Sequence, residues 1–321
     1  MGNGDTQYLA LTDTMGYSFI YTRQVVYDGN FSAELYKPKF PEDNVQLTNG
    51  TGFMVGEKQY HEHLKVATEI KQVSFATISG KSLTILQKRT CHDYAAIDKA
   101  NLIRQHLVYT GVGGACCARH GCWVPHSMVN FQKGEAYVPP RIDHIFSADI
   151  LCRQKNMDYC VSESLKYNTK GLRRAVLYYD IMCQYSVHMM SRFANNPYLE
   201  LPTGLTHIAK AIGLFHVHGH KDECFARYAP TFIPGAGIVD GEIIETLWEP
   251  LNPIAPSARK ASPEHRREIM DDHMNHSNWK KLIRISNLSI LRLNLCHRLI
   301  PDLSGSSAGE IPCRSQRASE G

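Results

Sequence analysis

The run Arg173-Arg174-Ala175-Val176-Leu177-Tyr178-Tyr179-Asp180 constrains the fold more than any other stretch of this chain. Its middle is apolar without alternation, so a strand here is buried on both faces and belongs inside a sheet. It closes on an acid, Asp180. Earlier, Ser18 to Phe31 read SFIYTRQVVYDGNF, in which Val25, Val26 and Tyr27 form a β-rich run ending on Asp28, with the turn residues Gly29 and Asn30 behind it. Two strands thus each deliver a carboxylate at the tip.

Helical patterns are expected over Ile142–Leu151, Ile181–Phe193 and Leu205–Ile212, and in a further helix starting near Glu242. In that last helix Glu242, Glu245 and Glu249 share one face, while Ile243, Leu247 and Leu251 line another. Leu214 to His220 reads as a short strand, whose period of two puts His216, His218 and His220 on one side. The 321 residues, 43% hydrophobic and 21% charged, fit a folded chain of one large domain or two small ones, not a collagen-like or wholly disordered one. No stretch reaches the ~18 uncharged apolar residues of a membrane helix, and the start lacks a basic, apolar leader, so no membrane or secretory route is expected. The net charge of +4 neither demands nor excludes nucleic acid, and Arg173-Arg174, Arg266-Arg267 and Lys280-Lys281 read as solvated faces. Ten Cys and 16 His in a reduced compartment favour metal binding over disulfides.

Asp28, Asp180 and Glu242 are the hard oxygen donors that Mg²⁺ or Mn²⁺ takes, and two such ions about 4 Å apart serve phosphoryl transfer. The same residues also suit turns and a helix N-terminus. Cys117-x-x-His120 and His220-x-x-x-Cys224 together offer a tetrahedral Cys2His2 zinc site, with Cys116, Cys122, His216 and His218 as spare ligands; buried thiols and satisfied histidines are the plainer alternative. His216, His218 and His220 beside Asp222 also suit a histidine-rich zinc hydrolase. Trp248 is either core or a platform for a DNA base.

Six motifs in order carry a resemblance. They are Tyr27-Asp28-Gly29-Asn30-Phe31, Cys117-Ala118-Arg119-His120-Gly121, Gln132-Lys133-Gly134-Glu135, Tyr179-Asp180-Ile181-Met182-Cys183-Gln184-Tyr185, His216-Val217-His218-Gly219-His220, and Gly235-Ala236-Gly237 through Asp240-Gly241-Glu242 to Trp248. Together they resemble the KDZ transposases (Kyakuja, Dileera and Zisupton elements), of the type abundant in fungal genomes. The resemblance implies an α/β, ribonuclease H-like mixed sheet flanked by helices, with a helical and Cys/His-containing insertion. It assigns catalysis to Asp28, Asp180 and Glu242, with Glu245 as the alternate, and Trp248 to a DNA contact. It implies Mg²⁺ or Mn²⁺ for catalysis and a structural Zn²⁺ drawn from Cys117, His120, His218, His220 and Cys224. It further implies transposon-end and target DNA as partners, a homo-oligomer, no membrane, and a nuclear site of action.

The expected organisation is a lead-in over 1–19, the transposase core with insertions over 20–282, and a poorly patterned tail over 283–321. Two positions depart from the family pattern. Asn130 stands where an acid is usual, and Thr246 follows Glu245 where Arg is more familiar. With the short lead-in, these departures raise a second reading, a truncated, inactive or domesticated remnant that binds DNA without cutting it.

Overall fold

The computed structural model describes residues 21–47, 52–67, 106–132, 145–237 and 239–299. The lead-in and the Lys133-Gly134-Glu135 motif lie outside the described residues, as does the tail beyond 299. The chain forms two units, Met1–Lys281 and Leu282–Gly321, and the first holds the sheet and every candidate site residue. Its strands are β1 (Thr22–Asn30), β2 (Leu35–Tyr36), β3 (Leu107–Cys117), β4 (Val129–Gln132), β5 (Arg174–Tyr179) and β6 (His207–Ala211). Its helices are α1 (Glu57–Val66), α2 (Ile145–Lys166), α3 (Met182–Tyr185), α4 (Met189–Ala194), α5 (Leu214–Val217), α6 (Asp222–Tyr228), α7 (Glu245–Leu251) and α8 (Ala255–Ala258), and α9 (Pro263–Leu299) continues into the second unit. No described helix is long and apolar enough to cross a membrane.

The sheet is mixed. β1 lies antiparallel to β3 and parallel to β5, and β5 lies parallel to β6. Val112 of β3 pairs with both Asn30 and Asn130, so β1 and β4 flank β3 on opposite edges; five strands of the six-stranded sheet run β4-β3-β1-β5-β6, and the short β2 also pairs antiparallel with β3. The apolar run of β5 is central, as its pattern demands. Ala175 and Leu177 enter one core with Val25, Tyr27 and Met157, while Val176 and Tyr178 enter a second with Val26, Leu247, Trp248 and Met270. Helices therefore cover both faces. Leu177 is fully buried, and truncation to Ala removes about 2–5 kcal/mol.

Several expected elements differ, each for a tertiary reason. Leu205–Ile212 is not helical: His207–Ala211 forms β6, because the open edge of β5 offers five parallel pairings that outweigh the helix preference of Ala209, Lys210 and Ala211. Leu214–Val217 is a helical turn, not a strand, so the three histidines lose their common face. Ile181–Phe193 splits into α3 and α4. Arg192 of α4 reaches back with Nε to Asp158 Oδ2 (2.6 Å) and Nη2 to Asp158 Oδ1 (2.9 Å), fixing this pair of turns against α2.

The Arg266-Arg267 pair is not a solvated face. Both side chains are buried, at 1% and 2% exposure. Arg266 donates to Asn130 Oδ1 (2.6 Å) and to the Ala33 carbonyl (2.7 Å), and Arg267 donates to the Val55 carbonyl and pairs with Glu57 (2.7 Å). These bonds fasten α9 across the sheet. Asn130, the position where an acid was expected, thus serves as a neutral acceptor for a buried guanidinium, whose pKa burial lowers to about 10.

Candidate functional site

Parallel pairing builds the site. Tyr27 of β1 is in register with Tyr179 of β5, so the next residue on each chain, Asp28 and Asp180, emerges at adjacent points of the sheet. Neighbouring strands lie ~4.8 Å apart, which forces the two carboxylates together. Burial comes first in raising both above the usual carboxylate range. For Asp28 the charges of Asp180 and Glu245 add to it, and for Asp180 those of Glu245 and Glu242. Among the described residues no Lys or Arg pairs with any of these four acids.

The two glutamates do different work. Helix α7 begins at Glu245, not Glu242, because the glycine-rich segment ahead keeps Glu242 in a turn, and the single acidic face expected of 242, 245 and 249 is not formed. Glu245 adds to the raised proton affinity of both Asp28 and Asp180, and Glu242 to that of Asp180. Glu242 Oε1 is already engaged, accepting backbone N–H bonds from Phe215 (2.6 Å) and His216 (3.0 Å). A Cβ at Gly213 would fall 2.4 Å from Glu242 Cγ, so glycine is needed for that approach. His216 Nδ1 lies 3.2 Å from Asp180 Oδ1 and 3.4 Å from Glu242 Oε1.

Trp248 sits one helical turn after Glu245 and is 4% exposed. Its indole N–H donates to Asp28 Oδ2 at 2.7 Å, and its ring packs on Trp123 with centroids 4.8 Å apart. The covered ring offers no face to a base. The exposed aromatic beside the acids is Phe215, at 78% exposure, next to His216.

The thiols and imidazoles do not assemble as expected. Among the described residues the one group of three or more potential ligands is Cys183, His220 and Cys224, whose ligand atoms all lie within 4.8 Å. Cys117 and His120 stand apart from it, with Sγ and Nδ1 3.5 Å apart. The reason is strand direction. β3 runs antiparallel to β1, with Cys117 opposite Val25 and Gly114 opposite Asp28, so Cys117 is carried away from the acid end. Cys183 follows β5, and His220 and Cys224 follow β6, at the ends where the acids emerge. The three alternating histidines also part: His216 faces the acids, His218 packs its ring on Phe225 at 5.1 Å, and His220 Nδ1 lies 3.5 Å from Cys183 Sγ. No shared histidine site forms among them. Cys183 was missed as a ligand, although its place three residues after Asp180 was a readable signal.

The Cys183 geometry fits a soft metal. Ligands at ~2.3 Å (sulfur) and ~2.0–2.1 Å (nitrogen) on a tetrahedral ion stand roughly 3.5 Å apart, and the Cys183–His220 separation is 3.5 Å. The acids concentrate negative charge and have no basic partner apart from His216 among the described residues, but no three of them bring their oxygens within 4.8 Å of one another as the Cys183 group does. A family model described as Kyakuja-Dileera-Zisupton transposase matches residues 21–278. No curated protein and no solved structure matches the chain.

Proposed function

The chain belongs to the Kyakuja-Dileera-Zisupton (KDZ) transposase family, and from that premise we propose that it is a DDE-type DNA transposase core in which Asp28, Asp180 and Glu245 bind divalent metal. The observation that carries this reading is the parallel pairing of β1 and β5, which sets Asp28 and Asp180 side by side, with Glu245 of α7 adding to the charge that raises both and with no Lys or Arg partner among the described residues. The strand order, three antiparallel strands followed by two parallel ones, supports a ribonuclease H-like core.

The reaction is hydrolysis of a DNA phosphodiester and then attack of the freed 3′ hydroxyl on target DNA. Both are in-line displacements at phosphorus and need no covalent protein intermediate. Bound Mg²⁺ or Mn²⁺ would supply charge stabilisation to the attacking and leaving oxygens. Asp28 and Asp180 orient as neighbours because their strands are paired, and Glu245 closes the set from the first turn of α7. Glu242 acts from outside this set: its two backbone N–H bonds hold Leu214–Val217, and with it His216, against Asp180.

Cys183, His220 and Cys224 would hold the structural Zn²⁺, in place of the set built on Cys117 and His120. A DNA substrate assigns the work to the nucleus, on transposon ends and target, with paired ends favouring a homo-oligomer. The test is incubation of the purified chain with supercoiled DNA in Mg²⁺ or Mn²⁺. Nicking that Asp28→Asn and Asp180→Asn abolish is expected; binding without nicking would instead make the chain a non-catalytic DNA-binding remnant.

A further inference from the structure

We propose that Trp248 is a positioning residue for Asp28, fixing one carboxylate oxygen so that the other faces the bound cation; this rests on the reading of Asp28 as a metal-binding acid. An indole N–H donates and never accepts. Trp248 can therefore hold an ionised carboxylate in one rotamer but cannot take its proton or turn to an alternative role. Its bond to Asp28 Oδ2 is 2.7 Å long and buried beneath a ring that is 4% exposed.

The indole is itself held in place. Its ring packs on Trp123 at 4.8 Å and 54°, and both backbone polar groups of Trp123 are gripped by one side chain, with Trp123 N donating to Asn278 Oδ1 (2.7 Å) and Asn278 Nδ2 donating to Trp123 O (2.9 Å). Asn278 belongs to α9. Helix α9, the segment after β3 and helix α7 therefore all set where the Trp248 N–H points. Because Trp248 lies one turn beyond Glu245, any movement of α7 displaces a metal-binding acid and the clamp on another together.

The test uses the full chain and compares two variants of the same ring stack. Trp248→Phe and Trp123→Phe each lose an indole, but only the first loses the bond to Asp28; Trp123 Nε1 makes no hydrogen bond. Mn²⁺ affinity, read by electron paramagnetic resonance, should fall about tenfold in Trp248→Phe, as expected for a bond to a charged acceptor, and stay within about twofold of wild type in Trp123→Phe. Equal affinities in wild type and Trp248→Phe, or an equal fall in both variants, would overturn the proposal.

A second readout needs neither turnover nor a stable Trp248 variant. The chain has 3 Trp, so ¹⁵N-labelled protein gives three indole N–H resonances. One should lie downfield, move upfield in Asp28→Asn and shift on adding Mg²⁺; if none responds to Asp28→Asn, the bond does not act on Asp28 and the idea fails. Wild-type protein that binds no Mn²⁺ and cuts no DNA would sink the transposase reading and this inference with it. Metal binding and nicking that survive Trp248→Phe unchanged would sink this inference alone.

Discussion

The acid cluster and the Cys183-His220-Cys224 cluster stand beyond the same ends of the parallel strands, and the turn after β5 supplies both Asp180 and Cys183. They are built in opposite ways. Burial and then the neighbouring acids push the proton affinities of Asp28 and Asp180 upward. Two thiols and an imidazole bring no comparable set of like charges, and their ligand atoms lie within 4.8 Å of one another. On the proposed function, a hard cation would relieve the first region, and a soft one would crosslink the second. A substitution should therefore change metal-free stability with opposite sign in the two regions.

The comparison can be broken first at what the regions share. Arg192→Ala removes the bidentate partner of buried Asp158 and frees the turns that follow Asp180 and carry Cys183. Stranding a buried charge costs about 3–5 kcal/mol, read as a lower urea midpoint, and both clusters should lose metal affinity together. Next in size is the soft site. Zinc binding there contributes directly to folding, so chelation should lower the melting temperature of wild type by several degrees and leave Cys183→Ser unmoved. A chelator without effect on wild type would place no structural metal at Cys183.

Smaller and opposite in sign is the effect of Asp28→Asn. In chelator it should stabilise the chain by on the order of 1 kcal/mol, because a repelling charge is gone, while DNA nicking disappears. A further effect is on pH dependence. Asp28 and Asp180 have folded pKa values raised above the unfolded reference of about 4, so the folded state binds the extra protons and metal-free stability falls as pH rises from about 4 through neutrality. Saturating Mg²⁺ should flatten that slope. A metal-free stability that rises over this range would remove the charge-repulsion account.

What could be read in the sequence was local. Asp180 was legible because it follows a β-rich run directly, whereas β1 does not end on Asp28 as expected but continues through Gly29 to Asn30, because β3 goes on pairing with it. The choice between Glu242 and Glu245 was not legible, since it turns on where α7 starts and on whether the 214–216 turn claims Glu242 as its acceptor. The Cys/His cluster was half legible: His220 and Cys224 were found as a pair, but the third member, Cys183, comes from the segment after β5, and the antiparallel course of β3 carries Cys117 away. Arg266 and Arg267 look like any charged pair in a row of letters. Their burial is decided by carbonyls of Ala33 and Val55, far away in the chain. Likewise β6 owes its form to the edge of β5 more than to its own composition.

The most direct test of a hard and a soft site side by side is anomalous diffraction from crystals of the chain grown with Zn²⁺ and soaked in Mn²⁺, with data collected at both metal edges. The account predicts manganese between Asp28 and Asp180 with Glu245 among its ligands, and zinc at Cys183, His220 and Cys224. Manganese absent from the acids, or held by Glu242 with Glu245 turned away, would contradict it.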